Sequence, residues 1–393
     1  MVVGGGFFTV SKKVSKINAM HPLAGKSKKR ASFDELLLAG ISAVADKGID
    51  HTSVSDVANT SGVSRPTFYT YFGDMNGFYA EVWLRYGREW LDSQIDGAES
   101  LDESIDQVLL EIFSASRRIP EVFEVVQPDF ERWWDEQTDG DDLAQQRLVW
   151  KLGFKLGYKL GKRITPKAEL GLPIVGFLDL PEDAMSLPFL AGLGQVTPDL
   201  LPPMAGLTLD DDSVESKLTM AAIEVIATSG VAAASMTRIA RRARVSTGTV
   251  YPRFKNSELL VQTSFTSAIA NIVGKNVQIV AERGLGIDEY ALTVNAGYGE
   301  NRKVWRNFRT EMHIEAAHNP ELAAFMVPGF EKAAKFLEDS FTKFGLPAPL
   351  VASIAWFLHS HAIGISLIYN VLPSVDAIDY RIMARWMISQ LPK

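Results

Sequence analysis

Along residues 32–78 the apolar positions recur at the three- and four-residue spacing of amphipathic helices, without the alternation of strands. Leu36, Leu37, Ile41, Val44 and Ala45 form one stripe, which stops at Gly48, a residue type suited to closing a helix. Ser53 is a cap for a short second helix reaching Thr60. Ser61-Gly62-Val63 then forms a tight turn, and Ser64 caps a third helix to about Phe72. Asp74 is a cap type for a fourth helix. The pattern returns at residues 214–260 with a constant offset of 182 and no gap. Ala43 falls over Val225, Gly48 over Gly230, Ser53 over Ser235, Val63-Ser64 over Val245-Ser246, and Thr67, Tyr69 and Phe72 over Thr249, Tyr251 and Phe254. Asn256 is the matching cap.

Helix, helix, tight turn, helix is the helix-turn-helix arrangement, whose third helix is expected to enter a DNA major groove. Val57, Val63, Phe68 and Phe72 are the expected inner face of one copy, and Ile239, Val245, Val250 and Phe254 that of the other. The expected fold is all-α: a flexible basic arm (1–31), a head (32–78), a helical body (79–209), a second head (210–260) and a second body (261–393). Asp210-Asp-Asp212 marks the boundary between the halves.

The stretches Ala58-Asn-Thr-Ser-Gly-Val-Ser-Arg-Pro-Thr-Phe-Tyr-Thr-Tyr-Phe72 and Ala240-Arg-Arg-Ala-Arg-Val-Ser-Thr-Gly-Thr-Val-Tyr-Pro-Arg-Phe254 both resemble the Ala-Gly-Val-Ser-x-Gly-Thr-Leu-Tyr-x-x-Phe stretch of TetR-family transcriptional regulators, in a tandem form. The resemblance covers about 47 residues per copy. It implies two DNA heads with effector-binding bodies, arranged as a pseudo-dimer in place of the family's usual homodimer, and a repressor that releases DNA when a small ligand shifts its heads. Three departures stand out. Pro66 replaces a family glycine, which the first turn of a helix tolerates. Arg244 replaces the turn glycine, and Pro252 lies late in the third helix of the second copy. Pro252 disfavours helical geometry at Tyr251, so that recognition helix is expected to kink or end early.

The net charge of −7 and pI near 5.5 argue mildly against a nucleic-acid partner for the chain as a whole. Local charge changes the picture. Residues 32–83 hold two basic and seven acidic residues (−5), whereas residues 213–265 hold seven basic and three acidic (+4). Residues 1–30 add seven cations and no acid, so Lys28, Lys29 and Arg30 are expected to lie on phosphates before the acidic head. The resemblance implies phosphate contacts from Thr67, Tyr69, Thr249 and Tyr251, and base-edge contacts from Arg65, Thr70, Tyr71, Thr247 and Arg253. Ser53, Ser64, Ser235, Ser246, Arg241, Arg242 and Lys255 complete the expected interface with a double-stranded operator. Because the outward residues of the two heads differ, that operator is expected to be non-palindromic.

In the bodies, Gly153, Gly157 and Gly161 repeat every fourth position, which suits close helix packing, and 172–203 is proline-rich. Val351–Tyr369 and Ala377–Leu391 are the expected last helices, and the final helices of the two halves are expected to pack together within the chain, with further self-association left open. Trp305, Phe308, His313, Trp356, His359 and Tyr369 are expected to line a site for an apolar small-molecule effector if the body holds a cavity, and ordinary core packing is the commoner role for any one of them. The spacings of His313 to His318 and of His359 to His361 put neither pair on one helical face, so no metal is expected. The absence of cysteine excludes disulfides and thiolate chemistry and suits the cytoplasm. Residues 1–10 do not form an export signal, and no apolar run of 18 or more residues free of charge and proline is apparent, so no membrane partner is expected. No glycine-rich phosphate loop, Gly-x-Ser-x-Gly elbow or zinc spacing points to an enzyme. The alternative is an architectural or interaction protein without ligand control.

Overall fold

A computed structural model describes residues 27–95, 101–165, 179–209, 211–283, 286–341, 348–373 and 378–390, and among these residues there is no strand. The first head comprises α1 (Ser27–Lys47), α2 (Val54–Ser61) and α3 (Arg65–Phe72), and α4 (Met75–Ser93) leads out of it. The second comprises α8 (Val214–Ser229), α9 (Met236–Ala243) and α10 (Thr247–Val250), followed by α11 (Ser257–Arg283). The starts of α2, α3 and α4 plus 182 are the starts of α9, α10 and α11.

Capping explains those boundaries. Ser53 accepts from the Asp56 amide while Asp56 returns a bond to the Ser53 amide, and Ser235 accepts from the Arg238 amide. Asp74 and Asn256 cap the exit helices through the amides of Gly77 and Leu259. The tight turn needs a left-handed residue: Gly62 has φ 67°, and Arg244 holds φ 58° at the same place. α1 begins at Ser27, so Lys28, Lys29 and Arg30 stand on its first turns, where a flexible arm was expected. Residues 1–26 and Asp210 lie outside the described residues.

The first body continues with α5 (Glu103–Ala115), α6 (Pro120–Thr138) and α7 (Asp142–Leu160). The second has α12 (Ile287–Ala296), α13 (Lys303–Ala316), α14 (Pro320–Phe341), α15 (Ala348–Val371) and α16 (Tyr380–Ser389). Here the internal match reappears at an offset of 200, because α12 is an extra helix: Glu111 over Glu311, Pro120 over Pro320, Pro128 over Pro328 and Phe130 over Phe330. Both inner prolines stand at the ninth residue of their helix. Of the proline-rich segment 172–203, residues 172–178 lie outside the described residues, and 179–203 form only single 3-10 turns and loops.

α7 and α15 make the main seam between the copies. A Cβ on Gly157 would lie 1.8 Å from the Ser360 carbonyl oxygen, and one on Gly364 would lie 1.8 Å from that of Gly153. The contact is reciprocal, each glycine meeting the residue four before the other, as at a two-fold dimer axis. The expected packing of Gly153 and Gly157 is thereby explained, while Gly161 caps α7. Over Leu350–Val371, α15 is long and apolar enough to cross a membrane, contrary to the expectation from sequence, where scattered Ser, His and Asn disguised it; 72% of that window is buried inside the protein, as in a core helix.

Candidate nucleic-acid interface

Phe68 and Val250 anchor the two recognition helices in the head cores, each 0% exposed, with Phe72 and Phe254 beside them. That fixes which side chains face outward. Tyr69 and Tyr251 are 51% and 59% exposed, although large aromatics ordinarily hide. Ser64 Oγ lies 2.9 Å from Thr67 Oγ1, and Ser246 Oγ lies 2.8 Å from Thr249 Oγ1. Both heads thus present the same hydroxyl pair and a tyrosine along one face, an arrangement suited to phosphate oxygens.

The variable positions diverge in structure too. Arg65 and Thr70 are exposed, Thr70 donating to the Pro66 carbonyl at 2.8 Å. Tyr71 is half-buried, edge-on to Phe33 with centroids 5.2 Å apart, so it lies at the rim of the expected base-contacting set. In the second head α10 spans four residues against eight for α3, because Pro252 has no amide to continue the ladder. Tyr251 nevertheless keeps helical angles, φ −59° and ψ −33°. Arg253 turns back to Glu215 at 2.7 Å and to the Thr249 carbonyl, and Arg242 is paired with Glu224. Thr247, Arg241, Arg244 and Lys255 are exposed. The Ser53 hydroxyl is held by Asp56 at 2.6 Å, and Ser235 serves as a cap.

Residues 36–82 and 218–262 each match the model of bacterial regulatory proteins of the tetR family. The chain carries two TetR-like helix-turn-helix domains in tandem. It is 28% identical over 89 residues to YvdT, an uncharacterized HTH-type transcriptional regulator of Bacillus subtilis; this is 22% of the chain and 46% of the relative, so the chain spans about half the length of that relative. A crystal structure of a transcriptional regulator from Rhodococcus sp. Rha1 matches 45% of this chain and 94% of its own, at 21% identity and a TM-score of 0.36.

The two TetR-like heads rest on a shared cluster of buried charge. Glu111 accepts the Ile49 amide at 3.0 Å and pairs with His318 at 2.5 Å. Glu311 pairs with Arg117 and, at 3.1 Å, with Arg118, which reaches Asp50 at 2.8 Å. The His318 ring packs on Gly48 of the first head, and Arg118 on Gly230 of the second. Each copy's α5–α6 or α13–α14 corner therefore supports the opposite head. Burial pushes the Glu311 carboxyl up against the pull of both arginines. Sequence alone missed this cluster; the offset-200 match of Glu111 with Glu311 was the signal for it.

In the second body a cavity of about 240 Å³ lies among α11 to α15. Of the residues expected there, Trp305, Trp356 and His359 line it. Three do not. Phe308 is 0% exposed in the core beneath the second head, His313 stands behind the wall with its ring 5.4 Å from that of Phe330, and Tyr369 lies under the Arg306 guanidinium at 4.6 Å. The lining also includes Arg302, Arg306 and Arg309, which had not been expected. Among the described residues no group of three or more potential ligands could hold a metal ion.

Proposed function

We propose that this protein is a sequence-specific DNA-binding transcriptional regulator, a ligand-responsive repressor whose two unlike heads read a non-palindromic operator. The observation that carries this reading is the pairing of one scaffold with two surfaces. Caps, hydroxyl pair and exposed tyrosine coincide in the two heads, whereas Arg65, Thr70 and a full-length α3 face a truncated α10 carrying Thr247 and a retracted Arg253. A shared frame with different outward residues supports two half-sites in fixed geometry with different sequences. The reciprocal α7–α15 contact supports one chain per operator. The ligand response rests on the cavity, which lies in the same body as His318, the residue of the α13–α14 corner that packs on the first head.

Selection from a random duplex library tests the operator claim. The recovered sites should have two dissimilar halves at constant spacing, and recovery of perfect inverted repeats would refute it. Salt-dependent binding to any duplex with no sequence preference would favour the architectural alternative.

A further inference from the structure

Arg302, Arg306 and Arg309 follow one another at four and three residues, so they share one face of the helical segment entering α13, and all three line the cavity. Arg302 is 2% exposed and Arg306 is 1% exposed. Their hydrogen-bond partners are neutral. Arg302 donates to Asn276 Oδ1 at 3.1 Å, Arg306 to the Gly299 carbonyl at 2.7 Å, and Arg309 to the Ala362 carbonyl and to Ser366 Oγ. The Nε of each, and Nη2 of Arg306, has no hydrogen-bond partner. Among the described residues none of the three forms an ion pair with a carboxylate. Three cations held in a largely apolar wall without a carboxylate beside them are costly, and the flat fork of guanidinium donors matches the two oxygens of a planar carboxylate in bidentate fashion.

The offset-200 match sets the feature beside its counterpart in the first body. Arg302 and Arg306 stand where the first body has Asp102 and Asp106, and Ala333-Ala334, which line the cavity, stand where it has Trp133-Trp134. In the first body those tryptophans are buried at 0% and 3% exposed, and Asp106 is neutralised by Lys159. Space and unpaired positive charge thus appear together, and in the second body. The remaining wall is mostly apolar, with Ile272, Val294, Trp305, Phe330, Leu337 and Trp356, and its polar members, among them Asn276, Thr293 and His359, carry no carboxylate. At about 30 Å³ per water, the volume accommodates roughly eight waters, or a ligand of about ten heavy atoms.

We propose that the effector of the second body is an organic carboxylate with a short apolar tail, its anion held by Arg302, Arg306 and Arg309 and its tail placed against the aromatic wall. This deepens the ligand-responsive reading and rests on it. The test uses the full-length chain and two matched pairs, octanoate with octanamide and 3-phenylpropionate with 3-phenylpropionamide, measured by thermal denaturation and titration calorimetry. At least one carboxylate should raise the Tm and bind at least tenfold more tightly than its amide. Arg306→Met should abolish the difference, and Ala334→Trp, which fills the space as Trp134 does, should block both members of the pair without touching the arginines. Equal or tighter binding of the amides overturns the assignment, and so does absence of binding by all four compounds. DNA binding is followed in parallel: carboxylate binding that leaves operator affinity unchanged keeps the site and sinks the ligand-responsive reading instead.

Discussion

Substituting Glu311 by Gln removes one charge from the cluster beneath the heads and little volume. The carboxylate is buried, and Arg117 and Arg118 both point at it, with side chains 10% and 8% exposed. After the change two guanidiniums face only Asp50, leaving an uncompensated positive charge. Breaking a buried pair in this way costs about 3–5 kcal/mol. The lower end applies here, because Asp50 still holds Arg118 at 2.8 Å and because burial already opposes the native Glu311 charge. The expected loss is about 3 kcal/mol, read by urea denaturation followed through tryptophan fluorescence. Adding Arg117→Met to Glu311→Gln restores charge balance, leaving Arg118 with Asp50, and should recover about 1–2 kcal/mol, a non-additivity that only contacting charges produce. A Glu311→Gln loss below about 1 kcal/mol, or a double variant as unstable as the sum of the singles, would show that the cluster does not hold the heads in this way.

Arg65→Ala should relax base preference in one half-site by about 1–3 kcal/mol and leave the other half unchanged, as read by competition with single-base operator variants; equal loss in both halves contradicts the asymmetric reading. Arg244→Gly should relieve the left-handed strain at φ 58° and raise stability by about 1 kcal/mol in thermal melts, while weakening DNA binding through the lost cation; a lower Tm argues against strain there. Burial holds His313 down to about 4 and His361 to about 3, so the folded state resists protonation that the unfolded chain accepts near 6.5. Stability from these two is complete above pH 6.5 and falls as pH drops, by about 2 kcal/mol each at pH 5, whereas His318 acts oppositely. Burial opposes the His318 charge but Glu111 outweighs it, so its contribution is present below pH 6.5 and is lost as pH rises. The Tm should therefore decline between pH 7 and pH 5, less steeply in His361→Phe, and a flat profile contradicts the assignment.

The heads were legible because their information is local. Cap serines, a turn residue and helical periodicity specify each element within a few residues, and the offset of 182 carries through the starts of α2, α3 and α4. In the bodies, by contrast, packing is long-range. The inserted α12 shifts the offset to 200 and leaves four clear anchors, Glu111/Glu311, Pro120/Pro320, Pro128/Pro328 and Phe130/Phe330. Arginines at four- and three-residue spacing look like a solvated helix face, and only the arrangement of α11, α12 and α15 turns that face inward. Phe308 and Tyr369 were aromatic residues on the right helices, yet which side of the helix met a cavity depended on partners distant in sequence.

The α7–α15 seam joins segments of one polypeptide, and dilution cannot part them. A regulator assembled from two separate chains loses its partner as concentration falls, so its occupancy of DNA drops more steeply than in proportion. Here the second head arrives with the first at an effective concentration set by the chain, so on the proposed reading of one chain per operator DNA occupancy should track protein level linearly even at a few copies per cell. On the proposed reading of one chain per operator, an allele damaged in one head would not poison a healthy one by mixing, since each lesion stays confined to its own molecule.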